Sequence, residues 1–344
     1  MISEQDLDGI SPAAHETWLM NALRKQIGYM RAAVPYWSQR LSSARVDEAK
    51  IERLADLAAL PIFTKAELRA LPPMELVPQE ARADIAVGRW TSGTTGRPTA
   101  SFWTQSDWAG LISSTARMLS RHAPIEAPMV FNAYSQAHVT GPVYHAALQK
   151  LGATVIDRSH HPEDVFSTAQ QMGLFDFNTL VMPARTIQGK SLGIGTLLDR
   201  EPRLFERNQV HWWIGSSGTF GPEVANQARA HGITTITNLY GSSEFAMFAT
   251  SCTVHPSDFH VSHGYVLVEV VDEVGAPVRH GQFGRIVVTH LSGIDENGNA
   301  CVHRGTQILR LANGDGATLL SQPCECGLTS FRLTGIRRIV PATV

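Results

Sequence analysis

Between residues 12 and 42 apolar side chains recur at helical spacing, with Trp18, Leu19, Leu23, Ile27, Met30 and Val34 in phase. Pro35 interrupts that run just before Tyr36-Trp37. A second helical piece is expected over 51–59, stopped by Pro61. Thr64-Lys-Ala-Glu67 has the form of a capping box, and Leu71-Pro-Pro73 ends the helix it opens. Ser106 is the expected cap of a helix reaching about residue 121. Beyond it short apolar runs alternate with helical ones. Strands are predicted over 129–134, 153–156, 179–182, 210–214 and 234–239, with helices over 143–151, 162–173 and 222–230. This alternation implies crossover units and a mainly parallel sheet, in which ligands gather beyond the carboxyl ends of the strands.

After about residue 245 the pattern changes to strands over 265–271, 284–289 and 307–311 with short turns and little helix. The fold class expected is therefore α/β: a core over 1–245 with mainly parallel sheets flanked by helices, then a smaller, antiparallel β-rich subdomain over 246–344. A length of 344 residues allows a large core and more than one subdomain. With 43% hydrophobic and 17% charged residues and a net charge of −2, nothing points to nucleic acid or to an anionic membrane. The acidic N-terminus lacks an apolar signal core, no apolar run is long enough to span a bilayer, and four cysteines do not make a disulfide scaffold. A cytoplasmic location is the expectation.

The stretch with the most suggestive chemistry is Arg89-Trp-Thr-Ser-Gly-Thr-Thr-Gly-Arg-Pro-Thr99, with apolar residues on either side. It reads as a glycine-rich turn joining two strands. Its glycines allow close backbone approach, and its hydroxyls and successive N–H groups suit phosphate oxygens, although a polar hairpin turn has the same composition. No Gly-Lys-Ser/Thr end opens a helix, so it is not the common nucleotide P-loop. Tyr240-Gly-Ser-Ser-Glu244 lies past another strand. Glu244 offers a hard oxygen for Mg²⁺, and equally Ser242 and Glu244 suit a helix N-terminus. Asn313-Gly-Asp-Gly316 alone reads as a β-turn. Cys252, His260, Cys324 and Cys326 supply one Cys-x-Cys pair and scattered partners, with buried free thiols as the alternative to a metal site.

In order along the chain, these motifs resemble those of adenylate-forming enzymes, and within them the phenylacetate–CoA ligase branch. The resemblance rests on Val34-Pro-Tyr-Trp37, Leu60-Pro-Ile-Phe-Thr-Lys65-Ala-Glu-Leu68 and Thr91-Ser-Gly-Thr-Thr-Gly-Arg-Pro-Thr99. It continues through Leu151-Gly-Ala-Thr-Val-Ile156, Leu239-Tyr-Gly-Ser-Ser-Glu244, Gly284-Arg-Ile-Val-Val-Thr289, Asn313-Gly-Asp315, Cys324-Glu-Cys-Gly327 and Leu333-Thr-Gly335. It implies that Ser92, Gly93, Thr94, Thr95 and Gly96 hold the ATP phosphates, with Arg97 where the family usually has Lys. It implies adenine and nucleotide contacts at Tyr240, Gly241 and Ser242, Mg²⁺ at Glu244, and ribose hydroxyls on Asp315. The region 215–218, where the family usually carries an acidic residue before the adenine-contacting turn, has none here. A structural Zn²⁺ on Cys252, His260, Cys324 and Cys326 is implied in the same way, with His255 competing for the histidine position and Cys301 left over. The acyl pocket is expected along 134–141 and the turn before Tyr240, with His138 orienting the carboxylate or walling the pocket.

At its end the sequence departs from the family pattern. Ile336 stands at the hinge-region Arg position, and Arg337 and Arg338 occupy the usual acidic stretch; the C-terminal lid domain with its catalytic Lys is expected to be absent. Arg97, Lys65, Arg337 or Arg338 are the candidates to replace that charge. The expected activity is ATP-dependent activation of an aromatic or small carboxylic acid as an acyl-adenylate, with pyrophosphate released. Transfer to an amine, thiol or carrier acceptor follows. Alternatives are adenylation of another oxyacid, such as nitrite toward an aryl amine, and a nucleotide- or acyl-binding subunit without catalysis. The expected partners are the acid, the acceptor, a carrier protein or separate C-terminal domain, and a second copy in a homodimer, with no nucleic acid and no membrane.

Overall fold

A computed structural model of the protein describes residues 6–90, 98–124, 126–158, 164–187, 191–216, 221–291, 293–294 and 300–339. The first apolar run folds as α1 (Pro12–Ala33), capped by Ser11, and α2 (Pro35–Ser43). Val34 between them is extended, at φ −126° and ψ 108°, the conformation a residue before proline favours. Residues 51–59 do not form an α-helix. Asp56 accepts the N–H groups of Glu52 and Arg53, and the tighter 3₁₀ turn Leu54–Ala59 results. The capping box is present: β1 (Phe63–Thr64) ends on Thr64, which caps α3 (Lys65–Ala70), and Thr64 N donates to Glu67 Oε2 at 2.7 Å.

The glycine-rich stretch joins β2 (Ile85–Trp90) to β3 (Ala100–Thr104), paired antiparallel with Trp90 opposite Ala100. Helix α4 (Gln105–Ser120) follows. Its cap is Thr104 and not Ser106, because Thr104 is the residue that exchanges bonds with Asp107. Thr104 Oγ1 donates to Asp107 Oδ2 at 2.7 Å, and Asp107 N donates back at 3.4 Å.

Two compact units make up the chain: Met1–Ser114 with Val254–Val344, and Thr115–Thr253. The second contains β4 (Met129–Asn132), α5 (Thr140–Lys150), β5 (Thr154–Asp157), α6 (Val165–Met172) and β6 (Thr179–Val181). It continues through α7 (Ile194–Arg200), α8 (Arg203–Asn208), β7 (Trp212–Gly215), α9 (Pro222–Ala230), β8 (Thr235–Ser242) and β9 (Ala246–Ser251). Strands β5, β4, β6, β7 and β8 lie side by side and parallel, and β9 returns antiparallel on β8. Helices α7 and α8 are not foreseen by periodicity: each is shorter than two turns, and Pro202 separates them. Burial of Ile194, Leu197, Leu198 and Phe205 in the same core as Phe131, Phe177 and Trp213 stabilises them.

In the first unit the chain resumes with β10 (Phe259–Val261), β11 (Val266–Val271), β12 (Phe283–His290), β13 (Leu311–Leu320) and β14 (Arg332–Arg338). The antiparallel order is β11-β12-β13-β14-β10, with β1 parallel to β13. The strand expected over 307–311 begins only at Leu311, and the expected turn at 313–316 lies inside β13. The late start follows from Arg310. Its backbone turns to φ +50° while its buried guanidinium grips both oxygens of Glu269, at 3.0 and 2.8 Å. No described helix is long and apolar enough to cross a membrane.

Candidate functional site

Ser92, Gly93, Thr94, Thr95, Gly96 and Arg97 lie outside the described residues. The stem that carries them is held by a segment remote in the chain. On the edge of β3 away from β2, Phe102 N donates to Thr306 Oγ1 at 2.8 Å and Thr306 N to Phe102 O at 2.9 Å. Gly305 is obligatory there, since a Cβ would stand 2.0 Å from Phe102 O. The buried Asp107 carboxylate takes the N–H groups of Gly305 at 2.8 Å and Arg304 at 3.1 Å. Burial pushes this carboxyl up, but nearby His303 and the hydrogen bonds from Thr104 and Arg304 outweigh it and hold it below the usual range. His303 is fully buried, with Nδ1 3.3 Å from Asp107 Oδ1 and its ring stacked on His290 at 4.0 Å. Burial lowers its pKa despite the neighbouring carboxylate. Sequence reasoning missed both residues, because their partners are remote in the chain.

In the second unit Tyr240, Gly241 and Ser242 end β8 and Glu244 sits in the turn to β9. No helix starts here, so the reading of Ser242 as a helix cap is corrected. Tight pairing dictates the hairpin: a Cβ on Gly241 would lie 1.8 Å from Ala246 O, and Ala246 has φ +56°. Glu244 is 1% exposed. Tyr240 is half-buried and meets Phe248 edge-on at 5.2 Å. His138 spans from Thr140 Oγ1, 3.0 Å from Nδ1, to Ser243 Oγ, 3.3 Å from Nε2.

Tyr134, just past β4, is fixed to the end of β7. Its hydroxyl donates to Ser216 O at 3.0 Å and accepts from Ser216 N at 2.8 Å. Its ring stacks on Tyr144, whose hydroxyl donates to Gly215 O at 3.2 Å. Burial raises the Tyr144 pKa well above the ordinary value, so the phenol stays protonated. Asn132 Oδ1 accepts the Tyr134 N–H at 3.2 Å and its Nδ2 donates to Gly141 O at 3.0 Å, pinning the ends of the 134–141 segment, and to Asp157 Oδ1 at 2.8 Å. Thus the ends of β4, β7 and β8 converge on one polar-rimmed region at the carboxyl side of the parallel sheet. Tyr144, Asn132 and Asp157 were not singled out from sequence.

Asp315 lies on β13 directly opposite Arg338 on β14. Arg338 Nη1 is 2.8 Å from Asp315 Oδ1 and 3.3 Å from Asn313 O. Arg337 stacks its guanidinium 3.9 Å from the Phe283 ring centroid. Within the first unit, one ligand atom from each of His260, Cys324 and Cys326 falls within 4.8 Å of the others. His260 is buried, its Nε2 lies 3.1 Å from Cys326 Sγ, and its Nδ1 lies 3.0 Å from Ser330 O. A carbonyl on Nδ1 fixes the tautomer that leaves Nε2 for a metal, and two to three thiolates with one imidazole suit Zn²⁺. His255 is outside this group, near Glu325 at 3.9 Å, as is Cys301.

The profile of the AMP-binding enzyme family matches residues 32–292. The phenylacetate-coenzyme A ligase of Thermus thermophilus is 26% identical over 317 residues, covering 90% of this chain and 67% of the relative. That of Escherichia coli is 28% identical over 316 residues, covering 85% and 67%. The chain spans about two thirds of the length of these relatives. A solved structure of 2-hydroxyisobutyryl-CoA ligase with 2-HIB-AMP and CoA in the thioesterification state superposes with a TM-score of 0.81. It is 20% identical and aligns over 98% of this chain and 70% of that one, a likeness of fold.

Proposed function

The chain belongs to the AMP-binding enzyme family, as an adenylate-forming ligase, and from that premise we propose that it activates an aromatic or small carboxylic acid with ATP. One carboxylate oxygen attacks the α-phosphorus, an acyl–O–P bond forms, the bond to the β-phosphate oxygen breaks, and pyrophosphate leaves. A nucleophile then attacks the acyl carbon and AMP departs. Coenzyme A is the acceptor suggested by the relatives' names; an amine or a carrier thiol fits the same step. Electrostatic stabilisation of the in-line displacement is what the protein must supply.

Each residue has a part in this reading. Residues 92–96 cradle the phosphates and Arg97 adds a fixed positive charge. Tyr240 stacks on adenine, flanked by Gly241 and Ser242, and Asp315 receives the ribose hydroxyls. Glu244 is the ligand for Mg²⁺: a carboxylate at a hairpin turn is a hard donor, and phosphate oxygens and water complete such a shell. When bound, the ion would neutralise charge developing on the phosphates. Tyr134 and Tyr144 are buried, and through their hydroxyls they anchor the 134–141 segment, the expected side of the acyl pocket, to the backbone at 215–216. His138 orients the carboxylate. Zn²⁺ on Cys252, His260, Cys324 and Cys326 serves structure and takes no chemical part.

The observation that supports this most is the 3.3 Å contact of His138 Nε2 with Ser243 Oγ, which ties the expected acyl segment to the Tyr240–Glu244 turn. The test is pyrophosphate release across a panel of phenylacetate, benzoates, short-chain acids and nitrite. Release is expected with a carboxylic acid and is lost in Glu244→Ala. Nitrite as the sole effective acid would shift the reading to the other oxyacid. Nucleotide binding with no release for any acid would leave a binding subunit.

A further inference from the structure

We infer that Arg338 is an affinity-determining residue of the nucleotide site, acting as an internal competitor for the carboxylate of Asp315; this rests on the ribose role proposed above for Asp315. The two residues are paired in register across β13 and β14, so their side chains share one face of the sheet. Arg338 Nη1 donates to Asp315 Oδ1 at 2.8 Å. The same nitrogen lies 3.3 Å from Asn313 O, and 3.1 Å from where a Cβ on Gly314 would stand. Gly314, at φ +89°, therefore lets the guanidinium lie across the backbone beside the carboxylate.

A vicinal ribose diol presents two O–H donors and is best received by both oxygens of one carboxylate. Arg338 holds Oδ1, so ribose and guanidinium compete for the same acceptor. The exchange is thermodynamically accessible because the Arg338 side chain is 65% exposed and that of Asp315 19%. An ion pair so open to water is weak and readily exchanged. Arg338 thus weakens ribose binding without blocking it, and the penalty falls only on ligands that carry the diol. The neighbouring Arg337 is engaged with Phe283 and does not take over the contact.

The test is titration calorimetry with adenosine and 2′-deoxyadenosine, which carry no phosphate and so isolate the ribose contact from the general attraction of a cation for nucleotide charge. Arg338→Ala and Arg338→Gln are expected to bind adenosine about two- to fivefold more tightly than wild type. Binding of 2′-deoxyadenosine should change little. Asp315→Asn serves as the reference. If it weakens adenosine while neither Arg338 variant tightens it, the competition is overturned and the ribose role stands. If Asp315→Asn leaves the preference for adenosine over 2′-deoxyadenosine unchanged, the ribose role fails and the inference with it. Adenosine that binds none of the four proteins has the same consequence.

Discussion

Asp107 accepts the backbone N–H of Gly305 at 2.8 Å across 198 residues of chain. The same carboxylate caps α4 through Thr104, so one buried anion joins the base of the β2–β3 hairpin to the segment that runs along it. Gln26 supports that segment from α1, accepting His303 N–H at 2.7 Å and donating to His303 O at 3.0 Å. The stem of the glycine-rich turn is therefore held from three directions within one unit.

Asp107→Ala leaves the N–H groups of Arg304 and Gly305 buried without this acceptor, at about 1–3 kcal/mol each. A loss of at least about 2–3 kcal/mol is expected in urea unfolding. Asp107→Asn keeps the shape and one acceptor oxygen and is expected to cost less. In Asp107→Asn the KM for ATP should rise more than the KM for the acid, because the defect lies at the base of the hairpin proposed to hold the phosphates. Equal changes in both would show a general loss of structure.

His303 contributes a pH dependence of defined sign. Its folded pKa is lowered by burial, so the unfolded chain binds its proton first as pH falls. Stability from this group is complete above the unfolded value of about 6.5 and declines below it until the folded pKa is passed. His303→Phe retains a flat ring on His290 and cannot titrate. Unfolding free energies at pH 7.5 and 5.5 should differ less in this variant than in wild type; an identical difference would remove His303 from the acid response.

Metal removal tests the zinc role proposed for Cys252, His260, Cys324 and Cys326. Purified protein is expected to carry one zinc per chain by elemental analysis, and Cys326→Ser, which removes the sulfur 3.1 Å from His260 Nε2, to lose it. Chelation should lower the unfolding temperature of wild type and leave Cys326→Ser unaffected. The Cys301→Ser variant, outside the cluster, should behave as wild type. Zinc-free wild-type protein with the same unfolding temperature would return these cysteines to the status of free thiols.

Much of the fold was legible because it is encoded locally. The capping box at Thr64 and Glu67 closes within three residues, Pro35 splits the first helical run by its own geometry, and the βα alternation from 129 to 239 follows from apolar period and length. The motif order likewise identified the AMP-binding family. Short helices were not legible: α7 and α8 have too few residues for a period to register and exist because their apolar side chains complete a core.

The site divides the same way. The motifs at 240–244, 313–315 and 324–326, taken in order with the others, carried the family resemblance that implies nucleotide and metal chemistry. Which partners those residues meet was decided by tertiary structure. Thr104 replaces Ser106 as cap because Asp107 is oriented by Gly305 and Arg304; Ser242 ends a strand because Gly241 must pass against Ala246; Asp315 faces Arg338 because two strands align them. Hydrogen bonds and ion pairs depend on ångström-scale placement of groups that are distant along the chain, and local propensity carries no information about that distance.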